Sequence, residues 1–224
     1  HRRRCQVTTP SRLARRIGWL YLSLAVLGPL AYMISKEGFV TDDAAATTSW
    51  ISANELIVRL GHLAEFGIIA VEIVLIVLLY RLMKPVSKDW SLIAALARFG
   101  MVAVQAVLLG AGVALVASPD SAGALLPVLA GGELVWGAIF GLHLAVLAPL
   151  VVRSGFLPTW LGWLVGISAV GYLAHGLGVM LVPDAATFLE TLVIATALPG
   201  ELGLTFWLLI KGVDDDAWNQ KEGA

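Results

Sequence analysis

The sequence predicts an all-α polytopic membrane helix bundle. We expect six transmembrane helices, both termini cytoplasmic, and a short outer amphipathic helix between the first and second spans. Three observations carry this expectation. Of 224 residues, 58% are hydrophobic and only 14% are charged, whereas soluble domains carry about 25% charged residues. The mean hydropathy is +0.85. Six apolar segments, at 17–35, 57–83, 90–117, 134–152, 157–182 and 187–211, reach the roughly 20 residues that a helix needs to cross a hydrocarbon core about 30 Å thick.

Each element has its own signals. Residues 1–16 form a basic cytosolic segment with Arg2, Arg3, Arg4, Arg12, Arg15 and Arg16. The first apolar run is longer than a signal-peptide core and lacks a small-residue cleavage site, so it reads as a span. In "TDDAAATTSWISANELIVRLG", Thr41, Asp42 and Asp43 suit a helix start, which predicts the outer amphipathic helix. The second span closes on Arg81 and Lys84, and Lys88 precedes the third. "SPDSAGALLPVLAGGE" reads as an outer loop, broken by proline and glycine. The fourth span ends at Arg153, the sixth at Lys211, and residues 212–224 form a cytosolic tail read as disordered. Residues 17–211 are thus the transmembrane domain.

Orientation follows from lysine and arginine. The third and fifth connections have neither, but hold Asp120 and Asp184; in the first, Lys36 stands against Glu37, Asp42 and Asp43. Arg59 is the exception at the outer start of the second span. A multi-pass protein of the cell (inner) membrane follows. Its first partner is the lipid bilayer, and with a net charge of -1 and charges at the segment ends, nucleic acid is not an expected one. The single cysteine, Cys5, excludes an internal disulfide and a multi-cysteine metal site.

Several runs resemble a bacterial family of six-helix integral membrane proteins that is a domain of unknown function. They are "NELIVRLG", "LLYRLMKPV", "GLHLAVLAPLVVRSGFLP", "LGWLVGISAVGYL" and "PGELGLTFWLLIKGV", in that order between Asn54 and Val213. The resemblance implies the topology and supplies no activity.

The informative residues are ionisable groups inside the spans. An ionisable group at the bilayer centre costs about 2.5–3.5 kcal/mol on insertion scales, and such residues face the bundle interior. Counting about 1.5 Å per residue along each helix separates two layers. The inner layer holds Glu72, Arg98, His143 and Glu201; Gln105 and Tyr172 fall between the layers. These six form the candidate ligand-binding or proton-relay set. Glu72 and Arg98 lie on antiparallel neighbours, so a buried ion pair is expected. Glu201 then needs Arg98 as a shared partner, a neutralising proton or a ligand. It follows Pro199 and Gly200 in mid-helix, and interrupted helices in transporters often mark binding sites; a plain packing kink is the bland reading.

The outer layer holds His62, Glu65, His175 and Glu190. Two histidines and one or two carboxylates could hold a divalent metal, zinc or iron, and His62 with His175 could ligate haem axially. Histidine–carboxylate pairs at a hydrated mouth also simply bond each other. Gly137 and Gly141, and Gly162 and Gly166, have small-xxx-small spacing, which favours close helix packing within the chain over a homo-oligomer interface. No phosphate loop, nucleophile elbow or HExxH is present, so an enzyme is the weaker expectation. Three functions stay open: binding or transport of a small ligand or protons, a non-catalytic scaffold or accessory subunit for a membrane-protein partner, and a metal- or haem-dependent intramembrane enzyme.

Overall fold

A computed structural model describes residues 9–223. Arg2, Arg3, Arg4 and Cys5 lie outside them. Among the described residues seven α-helices follow in order: α1 (Pro10–Lys36), α2 (Ala44–Met83), α3 (Lys88–Ala117), α4 (Ala122–Ser154), α5 (Thr159–Leu181), α6 (Ala186–Ile210) and α7 (Asp215–Glu222). Short 3-10 turns at Pro119–Ser121 and Pro183–Ala185 lead into α4 and α6. Among the described residues there is no strand. The first six helices are long and apolar enough to cross a membrane. The all-α bundle with six spans is therefore as the composition requires.

Four boundaries differ from the sequence reading. Helix α1 starts at Pro10, whose missing N–H costs nothing in a first turn. Arg12, Arg15 and Arg16 therefore stand on the helix rather than ahead of it. Residues 44–53 are helical, with Asp43 accepting from the Ala46 N–H at 2.9 Å, but they continue into the second span. Only a break at Asn54 (φ -127°, ψ 25°) separates the two parts of this 40-residue helix. The stretch read as an outer loop is instead a 3-10 turn and then the start of α4, which carries Pro127 in its interior; a membrane helix tolerates a proline where neighbours satisfy the freed carbonyl. The tail read as disordered contains α7. Asp214 caps it, accepting from the N–H groups of Asp216 and Ala217 at 3.0 Å each.

Sequence neighbours pack as antiparallel pairs, α1 closes the ring against α6, and α2 also touches α4. Helix α4 is the most enclosed of the six. A main apolar core runs through the ring and includes Ile17, Leu75, Met101, Leu147 and Leu208. A smaller one, with Ile51, Val58, Leu115 and Leu126, sits at the end where α1 stops. Apolar side chains such as Leu63, Phe66, Val107 and Phe188 stay exposed outside, as lipid-facing positions do. All-round apolarity marks a membrane span rather than an amphipathic soluble helix.

Candidate functional site

Arg98, 2% exposed, lies in the first half of α3. Its Nε and one Nη grip both oxygens of Glu72 on α2, at 2.7 and 3.0 Å. The other Nη points to the Tyr21 hydroxyl on α1 at 3.3 Å and to His143 Nε2 on α4 at 3.2 Å. The guanidinium stands 5.2 Å from the Tyr21 ring centre and 5.3 Å from that of Phe140. One cation thus joins four helices. The fork geometry is what arginine offers a carboxylate and lysine does not.

The partners fix the state of His143. Its Nδ1 is 2.8 Å from the Ala94 carbonyl, which only accepts, so Nδ1 carries the hydrogen. Nε2 faces an arginine N–H, which only donates, so Nε2 is bare. The ring is neutral, and both nitrogens are engaged. Phe140 stacks on it, with centroids 5.9 Å apart and planes at 17°.

Glu201 stands apart from this network. Tyr172 donates its hydroxyl hydrogen to Oε1 at 2.7 Å, and among the described residues no ion pair includes Glu201. The carboxylate borders a cavity of about 10 Å³ together with Tyr21, Phe140, Ser168 and Gly200. That is the lower limit for one water. Tyr21 and Phe140 therefore separate the Arg98 network from the Glu201 cavity and touch both. Pro199 and Gly200 lie inside α6. Ser168 Oγ on α5 reaches the Thr196 carbonyl at 2.9 Å and the Leu164 carbonyl at 3.1 Å, sharing one hydrogen beside the proline step. A Cβ on Gly200 would fall on Ser168 Oγ and 2.7 Å from the Leu164 carbonyl oxygen. This glycine lets α6 lie against α5 at the depth of Glu201.

The inner set is gathered in part. Glu72, Arg98 and His143 form one network, Tyr172 and Glu201 a second, and Gln105 is half-buried with no side-chain hydrogen bond among the described residues. The outer set is dispersed. His62 is 6% exposed and packs on α3, where a Cβ on Gly112 would come within 2.8 Å of its Nε2. Glu65 stands 4.0 Å from Lys36 Nζ, which itself bonds Glu133 at 3.0 Å and lies 5.3 Å from the Tyr32 ring centre. His175 is half-buried on α5, and Glu190 is exposed on α6. Among the described residues, no group of three or more His, Cys, Asp and Glu could hold a metal ion. Tyr21, Phe140 and the Lys36–Glu133 pair escaped the sequence reading.

Six apolar helices joined across the middle by a buried arginine–carboxylate pair define a multi-pass helical membrane protein. Within that class the chain belongs to the family described as "Domain of unknown function (DUF4386)", which matches residues 17–212. A relative from Archaeoglobus fulgidus, an uncharacterised protein, is 33% identical over 151 residues, covering 66% of this chain and 80% of that protein. No solved structure matches the chain.

Proposed function

We propose that the protein binds and passes protons, or a small hydrogen-bond-donating ligand, between α1, α4, α5 and α6, with Glu201 as the exchanging group and its basic end toward the cytoplasm. The single observation that carries this is the contrast between two carboxylates. Glu72 is answered by both prongs of Arg98; Glu201 receives one hydroxyl, from Tyr172, beside a small cavity. A carboxylate removed from water without a cation calls for a proton or a donor ligand. Tyr172 would orient it, and the Pro199–Gly200 step would give α6 freedom to move there. Arg98 would act as the fixed charge that keeps Glu72 out of the exchange.

Proton flux into liposomes, compared between the wild type and Glu201→Gln, tests this reading. We expect flux to fall to background in the variant; equal flux would end the proton role. Tyr172→Phe keeps the ring packing and removes the hydrogen bond, so it should lower flux without abolishing it.

The saturated surroundings of Arg98 favour a second reading, a scaffold or accessory subunit whose charges only join helices. It predicts unchanged flux in every variant and a stable membrane-protein partner on purification.

A further inference from the structure

The ends of α2 and α3 that meet near the α2–α3 turn are well covered. Leu82 and Met83 close α2, and Ser91 lies in the first turn of α3, yet none is more than 1% exposed. At Leu82 the cover comes in part from α7. Trp218, 9% exposed, joins the main core there, and its Nε1 donates to the Leu82 carbonyl at 2.9 Å. That carbonyl is among the last four of α2, which have no partner within the helix.

Beside the buried Trp218, a few hydrogen bonds hold α7 and the turn before it. Asp215 accepts from the Ser11 N–H at 2.7 Å, and the Ser11 hydroxyl donates to the Val213 carbonyl at 2.7 Å. Lys221 donates to the Arg153 carbonyl at 3.0 Å, and the Asp214 N–H to the Phe156 carbonyl at 3.2 Å. The helix has only eight residues. On its own such a helix is marginal, so its fold and its docking form and break together. Gly212, at φ 73°, supplies the left-handed turn that lets the chain double back from α6 onto the bundle end.

Beneath this end lies a second cavity of about 10 Å³, bordered by Met83, Ser91, Ala94, Arg98 and His143. Ala94 and Ala95 leave a groove on α3 between Ser91 and Arg98, two turns apart on one face. Ser91 Oγ is buried and has no hydrogen-bond partner among the described residues. A buried hydroxyl of that kind is satisfied by a water or another small polar guest.

We propose that α7 is a latch, and that its release admits water and small polar solutes to the Ser91–Arg98 cavity from the basic end of the bundle. This does not depend on the role of Glu201.

The test uses the full chain with Cys5→Ser as background. Ser91→Cys is labelled with a small, membrane-impermeant methanethiosulfonate reagent, with and without Trp218→Ala. Ala169→Cys, a position 3% exposed within the bundle, reports global unfolding. With α7 docked, Ser91→Cys should label slowly. Adding Trp218→Ala should speed this by about tenfold or more, because local opening sets the exposure of a buried site, while Ala169→Cys stays protected. Unchanged labelling of Ser91→Cys overturns the latch, as does rapid labelling with α7 intact. If Trp218→Ala also exposes Ala169→Cys, the decisive variant is Asp215→Ala with Lys221→Ala, which removes two ties and leaves the tryptophan. Faster labelling at 91 alone then supports the latch, and equal protection at 91 rejects it.

Discussion

Replacing Arg98 by methionine should destabilise the fold by about 3–5 kcal/mol, the usual effect of stripping a buried ion of its partner. Glu72 would keep its place, 6% exposed, with no cation to answer it. Tyr21 and His143 would lose their donors at the same time. Combining Arg98→Met with Glu72→Leu should recover most of the loss, because two matched apolar side chains need no partner. What remains is the unpaired nitrogen of His143 and the unpaired hydroxyl of Tyr21, about 1–3 kcal/mol for each buried group left unsatisfied. Unfolding in detergent for the two single variants and the double gives the coupling directly. A double variant as damaged as the sum of the singles would mean that the pair is not coupled. Proton flux in the same double variant separates stability from function: with Glu201 untouched, a folded double variant should still conduct.

The pairing of Glu72 with Arg98 was legible because two constraints suffice for it. A short connection makes α2 and α3 antiparallel neighbours, and the rise per residue sets both groups at one depth. His143 met the same depth test and joins the network. Tyr21 did not stand out, because α1 carries no charge in its middle and an all-round apolar helix does not reveal which side faces inward. The outer residues show the complementary failure. His62 and Glu65 are buried while His175 is half-buried and Glu190 exposed, so the four share an estimated depth but not a direction, and depth alone does not bring side chains together. Lys36 looked like a loop charge, although α1 extends to it and delivers its ammonium to Glu133. The tail carried a helix signal, Asp214 ahead of Trp218, but one buried tryptophan in an acidic stretch makes no period to read. Its docking depends on partners more than a hundred residues away, such as Leu82.

In each spaced glycine pair of α4 and α5, alanine should be damaging at one position and tolerated at the other, and it should also be damaging at Gly176. A Cβ on Gly141 would come within 2.9 Å of the Leu173 backbone nitrogen, and one on Gly162 within 2.8 Å of that of Val152. On Gly176, which belongs to neither spaced pair, it would lie 2.6 Å from the Leu134 carbonyl oxygen and 2.8 Å from the Ala138 nitrogen. Backbone atoms in a helix cannot step aside, so the helices must separate along their length. We expect losses of about 1–3 kcal/mol for Gly141→Ala, Gly162→Ala and Gly176→Ala, the range for overpacking a tight interior. On Gly137 and Gly166 the nearest atoms would be side-chain carbons at 3.8 and 3.6 Å, ordinary contact distances, so alanine there should stay within about 0.5 kcal/mol of the wild type. Small-xxx-small spacing marks the face on which two membrane helices approach, while the crossing geometry decides which glycine stands at the point of contact. The same unfolding measurement reads all five variants. Equal losses at Gly137 and Gly141, or at Gly162 and Gly166, would show that α4 and α5 cross elsewhere, and would displace Tyr172 and the placement of Glu201 with them.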